Sequence, residues 1–165
     1  MSAQSIEDLF VEGLQEMYYT EQQLTDALED LESSSSSEDA KNAFSEHREE
    51  TQRHVERLEE VFDSIGHEAE AHEDPVVDAM IRQHEEFVDG DPDAEALDRY
   101  NMLAAQKSEH YEIASYGTLT SLAEKLGHDD AADTLESILR EEEQALDEVA
   151  ELTEQFDQQT VEASQ

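Results

Sequence analysis

The chain has 165 residues, enough for one domain with a substantial core. Five glycines and two prolines are too few for the turns of a sandwich or barrel, and the lack of cysteine excludes disulfides and thiolate metal sites. Its 46 acidic against 9 basic residues give a net charge of −37, which would repel a phosphate backbone and argues against nucleic acid as a partner.

The first helix is expected from about Ile6 to Leu31. Ser5 and Asp8 form a capping-box-like start. Leu9, Phe10, Leu14, Met17, Glu21, Leu24, Leu28 and Leu31 then recur in steps of three and four, which draws one helical face. The serine run Ser33 to Ser37 interrupts the pattern and reads as a solvated turn. A second helix is expected over 38–65. Its inward face is Ala43, Phe44, His47, Glu50, His54, Leu58, Val61 and Ile65, and Gly66 stops it.

A long connection follows, carrying a short helix over 75–88 with Asp74 as N-cap, Pro75 as its first residue and Gly90 closing it. Asp91-Pro92 repeats that start signal, so the third long helix is placed at 93–126, about 50 Å long at 1.5 Å per residue. Its stripe includes Leu97, Met102, Ala105, Glu109, Glu112, Tyr116, Leu119 and Leu122, and Gly127 ends it. The last helix is expected over 129–156, with a stripe of Leu135, Ile138, Leu139, Glu142, Ala145, Leu146, Val149 and Leu152. The polar tail beyond Phe156 is expected to fray. Four long helices with two short turns and one long middle connection describe an all-α four-helix bundle with a crossover, a single domain over 1–165. The strings SEHREET before SIGH and SEHYEIAS before KLGH hint at an internal duplication of the hairpin.

Five glutamates continue these apolar stripes: Glu21, Glu50, Glu109, Glu112 and Glu142. In an antiparallel hairpin, residues equidistant from the turn share a level. Glu21 and Glu50 are centred on the serine run, and Glu112 and Glu142 on Gly127, so both pairs fall at mid-bundle. Glu109 and Glu112, three apart, share a face. A buried lone carboxylate costs several kcal/mol. A cluster of them in a helix bundle is usually compensated by a pair of metal ions, and carboxylate with imidazole suits iron or manganese. The competing reading is that each is a boundary residue whose stem packs while its head reaches water. His47 and His54 flank Glu50 on the same helix, and each is either an imidazole ligand or a hydrogen-bonded core residue. Tyr116 could hydrogen-bond a ligand carboxylate or simply fill the core. His110 lies off the stripe, and His67, His72, His84 and His128 read as surface residues.

The segment AAQKSEHYEIASYGTLTSLAEKLGH (104–128) resembles the YciE/YciF-type stress proteins of the ferritin-like superfamily. The resemblance extends to YYTEQQLTDAL (18–28), HREETQRHVERLEEVF (47–62) and LREEEQALDE (139–148), nearly the whole chain. It implies a ferritin-like bundle binding two irons, with Glu21, Glu50, Glu109, Glu112 and Glu142 as ligands on the successive long helices. Most ferritin-like sites carry Glu-x-x-His on the second and fourth helices. Here the corresponding positions are Arg53 and Ala145, and the Glu109-x-x-Glu112 pair is closer to rubrerythrins. Storage-type iron oxidation is therefore not expected, and with no fifth helix expected after the bundle, neither is a 24-subunit cage.

The acidic surface is read as adaptation to high salt, since at molar salt the Debye length is roughly 3 Å and self-repulsion is screened. No signal peptide or membrane span is visible, so the expected setting is a halophilic cytoplasm. The function expected is di-iron oxygen or peroxide chemistry in stress protection, with a homodimer as the default assembly. The rival is a non-catalytic, salt-adapted bundle with a structural or interaction role.

Overall fold

The structure is a computed structural model that describes residues 3–163, with side chains as far as Gln158. It contains α1 (Ile6–Ser34), α2 (Glu38–Ile65), α3 (Pro75–Asp89), α4 (Ala94–Leu126) and α5 (Asp129–Ala163), and among the described residues no strand. Around the bundle the neighbours run α1, α2, α5, α4, with α3 laid across α4 and α1. This is the expected four-helix bundle with a helical crossover. α2 ends beside the start of α1, and α4 begins at the opposite end, so the connection must travel back along the bundle.

The caps follow local chemistry. The hydroxyl of Ser5 accepts from the Asp8 amide, Ser37 from Ala40, Asp74 from Val76 and Asp93 from Ala96. Gly66 and Gly127 adopt φ of 75° and 79°, and the amides of His67 and His128 reach back to the carbonyls of Phe62 and Ala123. Both hairpin-level strings thus end in the same left-handed cap, which glycine makes without a Cβ penalty.

Four expectations need correction. α4 is capped by Asp93, not Asp91. The backbone of Asp91 lies at φ 52°, where it turns the chain out of α3 and cannot take the extended conformation of an N-cap. α1 runs through Ser34, because its first serines find helical partners: Ser33 and Ser34 hydroxyls donate to the carbonyls of Asp30 and Leu31. The remaining turn is anchored and not merely solvated. The Ser36 amide and hydroxyl donate to the buried Asp98 carboxylate, and Asn101 Nδ2 donates to the Ser34 and Ser35 hydroxyls. α5 continues past Phe156 to Ala163, since nothing in EQFDQQTVEA is a helix breaker.

The core is divided in two. One cluster joins Phe10 and Leu14 to Leu58, Phe62, Leu119 and Leu135 at the Gly66 and Gly127 end. The other joins Leu28 and Leu31 to Phe44, Met102, Ala105 and Val149 at the serine-turn end. The helices approach closely in the first half. A Cβ on Gly13 would stand 2.9 Å from Leu119 Cδ2, so the Leu119 methyl of α4 packs onto bare backbone of α1 and would have to shift for any larger residue there. Between the two apolar clusters lies a polar layer.

Candidate metal centre

Helical periodicity brings four carboxylates into that layer: Glu21 from α1, Glu109 and Glu112 from α4, and Glu142 from α5, each fully buried. α2 adds His54, fully buried, and His47, whose side chain keeps 12% exposure. The fifth expected carboxylate, Glu50, is not in the buried set. Its side chain is 28% exposed and stands at the rim, its Oε2 3.7 Å from His47 Nδ1 and its Oε1 3.8 Å from Arg53. At 100° per residue, His47 and His54 lie about 20° apart on α2, while Glu50 is turned roughly 40–60° away from them.

Among the described residues the side chains form three groups: two share Glu142, and a third joins Glu50 and Glu141 at the rim to His54. In the first, His54 Nδ1 lies 2.9 Å from Glu142 Oε1 and 3.6 Å from Glu21 Oε1. In the second, His47 Nε2 lies 2.9 Å from Glu109 Oε1 and 3.9 Å from Glu142 Oε2. The two oxygens of Glu142 therefore face different imidazoles, which is the disposition of a bridging carboxylate. Tyr116, fully buried, donates its hydroxyl to Glu21 Oε1, the hydrogen-bonding role weighed for it.

These short approaches are not aligned hydrogen bonds. Both oxygens of Glu109, Glu112 and Glu142, with Glu21 Oε2 and His54 Nδ1, are buried without a hydrogen-bond partner. Native interiors leave few such atoms, so a concentration of them requires a cause. Donor atoms held about 2.1 Å from one octahedral cation lie roughly 3 Å from each other, which matches the 2.9 Å separations. Hard oxygen with imidazole and no thiolate fits iron or manganese.

Electrostatics point the same way. Burial raises the pKa of Glu112 well above the usual carboxylate range, and repulsion from Glu142, Glu21 and Glu109 adds to it. Burial likewise raises Glu21 and Glu142, although His54 opposes the shift. Burial disfavours imidazolium at both histidines, yet Glu109 outweighs it at His47, and Glu142 and Glu21 push His54 up to about 10. Without a cation, the layer must keep extra protons.

One residue bonded to the candidate centre escaped the sequence reading. Glu141 accepts a 2.8 Å bond from His54 Nε2 and two from Arg57 Nη1, both 2.8 Å. With Nε2–H committed to Glu141, His54 presents Nδ1 to the cluster, the carboxylate–histidine arrangement that orients metal ligands. Nothing in the sequence distinguishes Glu141 from its neighbours in the run 141–143. Two histidines read as surface groups are half-buried instead: His84 Nε2 pairs with Asn101 Oδ1 at 2.8 Å, and His128 stacks on Phe10 with ring centroids 5.8 Å apart.

The sequence profile of a family described as a domain of unknown function (DUF892) matches residues 5–162. Protein YciF of Escherichia coli (strain K12) is 40% identical over 143 residues, 86% of this chain and 86% of that protein. The crystal structure of the E. coli stress protein YciF aligns with a TM-score of 0.90 at 36% identity, covering 94% of this chain and 99% of that one. YcfI of Rhodopseudomonas palustris, for which a structural role has been suggested, aligns with a TM-score of 0.87 at 38% identity, over 90% and 95%.

Proposed function

This chain belongs to the DUF892 family of YciF-like helical bundles, and on that premise we propose that it binds a pair of iron ions for oxygen or peroxide chemistry in stress protection. The observation that carries the reading is the set of buried, unpartnered carboxylate oxygens on three helices facing two imidazoles. Glu21 with His54 would hold one ion and Glu109 with His47 the other, Glu142 would serve both, and the buried Glu112 would add a further carboxylate. Glu50 would be the outer carboxylate, beside His47 at the rim and within reach of His54 and Glu141. Manganese would suit the same donors. Two bound ferrous ions would supply the electrons that reduce oxygen or peroxide.

The chain's own residues do the rest. Glu141 holds the Nε2 proton of His54, so that Nδ1 faces the cluster. The hydroxyl of Tyr116 fixes Glu21 Oε1. The apolar clusters above and below exclude bulk water from the layer. A halophilic cytoplasm and a homodimer complete the proposal, resting on the charge of −37 and on the commonest symmetry of soluble oligomers. No helix among the described residues is long and apolar enough to cross a membrane.

Anaerobic Fe(II) titration followed by air tests the proposal. It should give about two irons per chain and a near-ultraviolet charge-transfer absorption. The suggested structural role of YcfI favours a second reading, a non-catalytic bundle acting in structure or interaction. Equal iron uptake by the wild type and by Glu142→Gln would select that second reading, because the acidic surface would then be the binder.

A further inference from the structure

An apolar cavity of about 50 Å³ lies between α1, α3 and α4. Its walls are Leu24 and Leu28 of α1, Met80 and Ile81 of α3, and Ala104 of α4. His47, from the far side of the bundle, also lines it, and so brings the cavity to the carboxylate layer. Of the six side chains that build the layer, the other five are fully buried and His47 alone retains exposure. The charged lining residues, Asp30 and Glu85, are both exposed and both acidic.

We propose that this cavity is the passage by which a small, uncharged, apolar oxidant of the dioxygen class reaches the His47 side of the cluster. Three properties select the molecule. A volume of about 50 Å³ admits roughly two to four heavy atoms. The walls are mostly apolar, and with His84 Nε2 paired to Asn101 and the Ser108 hydroxyl to the Ala105 carbonyl they offer little to replace the hydration of an ion or a strongly polar solute. Acidic groups at the solvent side, on a chain of charge −37, repel anions. α3 acquires a purpose in this reading, since Met80 and Ile81 close a groove between α1 and α4 that would otherwise lie open.

This inference rests on the proposed iron chemistry, and its test separates the two. Ala104→Leu fills the cavity from α4 with a good helix former, and Met80→Ala widens it from α3. Xenon-pressurised crystals of the metal-free protein read the cavity without iron: xenon should occupy it in the wild type and be absent from Ala104→Leu. Anaerobic Fe(II) titration should give the same stoichiometry in all three proteins. In stopped-flow mixing with dioxygen, iron oxidation should slow severalfold in Ala104→Leu and run at least as fast as wild type in Met80→Ala. An empty cavity under xenon, or wild-type oxidation with the cavity filled, would overturn the passage. Absence of iron uptake by the wild type would sink the iron reading instead. If Ala104→Leu does not fold, Ala27→Leu on the α1 wall takes its place in the same assays.

Discussion

Glu141 and Glu142, adjacent in sequence, grip opposite edges of one imidazole: Glu141 Oε2 lies 2.8 Å from His54 Nε2 and Glu142 Oε1 2.9 Å from His54 Nδ1. Successive helical residues point about 100° apart. Only a ring inserted between them from α2 can meet both. The outer carboxylate is 30% exposed and held by Arg57; the inner one is fully buried. Arg57 and His54 together keep Glu141 ionised below the usual carboxylate range against the opposing effect of partial burial.

Glu141→Ala should therefore weaken metal binding without touching the buried carboxylates. Loss of such an outer partner typically costs 10–100-fold in affinity. Anaerobic Fe(II) titration should record a drop of about that size, with helical circular dichroism unchanged. Wild-type affinity in this variant would mean that His54 needs no orienting partner or is not a ligand.

The two candidate carboxylates of different standing can be ranked. Glu142→Gln removes charge from the residue that faces both imidazoles, and should abolish uptake at both positions. Glu50→Gln acts at the rim, 3.7 Å from His47 and within reach of His54, and should weaken uptake without abolishing it. Metal analysis after dialysis distinguishes them. Equal loss in both would place Glu50 directly on the metals, as the resemblance implies.

Metal-free protein should lose stability as pH rises. His54 has a folded pKa raised from 6.5 to about 10, so its contribution is complete below 6.5 and disappears on approaching 10. The raised carboxylates Glu21, Glu112 and Glu142 act with the same sign, favouring the fold while protonated and ceasing to as they ionise. Glu50 and Glu141 act oppositely, but their pKa values are lowered, so their contribution is lost only in acid. Melting temperature of the metal-free form at molar KCl should fall between pH 6.5 and about 10, and fall less in His54→Gln. A flat or rising profile would contradict the protonated core. Saturating iron should flatten it, because the cation replaces the protons.

Salt should act on the surface and not on this layer. Charge of −37 on 165 residues opposes compaction, and the Debye length grows from about 3 Å at 1 M to 10 Å at 0.1 M. Thermal melts followed by circular dichroism should show a lower midpoint at tens of millimolar KCl than at molar KCl. An unchanged midpoint would remove the salt-adapted reading and leave the fold as described.

The sequence by itself determined what depends on a single helix and its ends. Steps of three and four put Glu21, Glu109, Glu112 and Glu142 on faces that are apolar for several turns on either side. Ser5, Gly66 and Gly127 act through bonds to their own neighbours, so their roles are legible without any partner. What only the tertiary structure decided is where one helix looks from another. Glu50 lies on the edge of its stripe, and a shift of roughly 40–60° around the axis separates core from rim. His47 and His54 acquired their place from the positions of α4 and α5, Glu141 from an imidazole 87 residues away, and the serine turn from Asp98 and Asn101. Periodicity defines a direction within one cylinder; the burial of a boundary residue is set by neighbouring cylinders, whose placement no local pattern encodes.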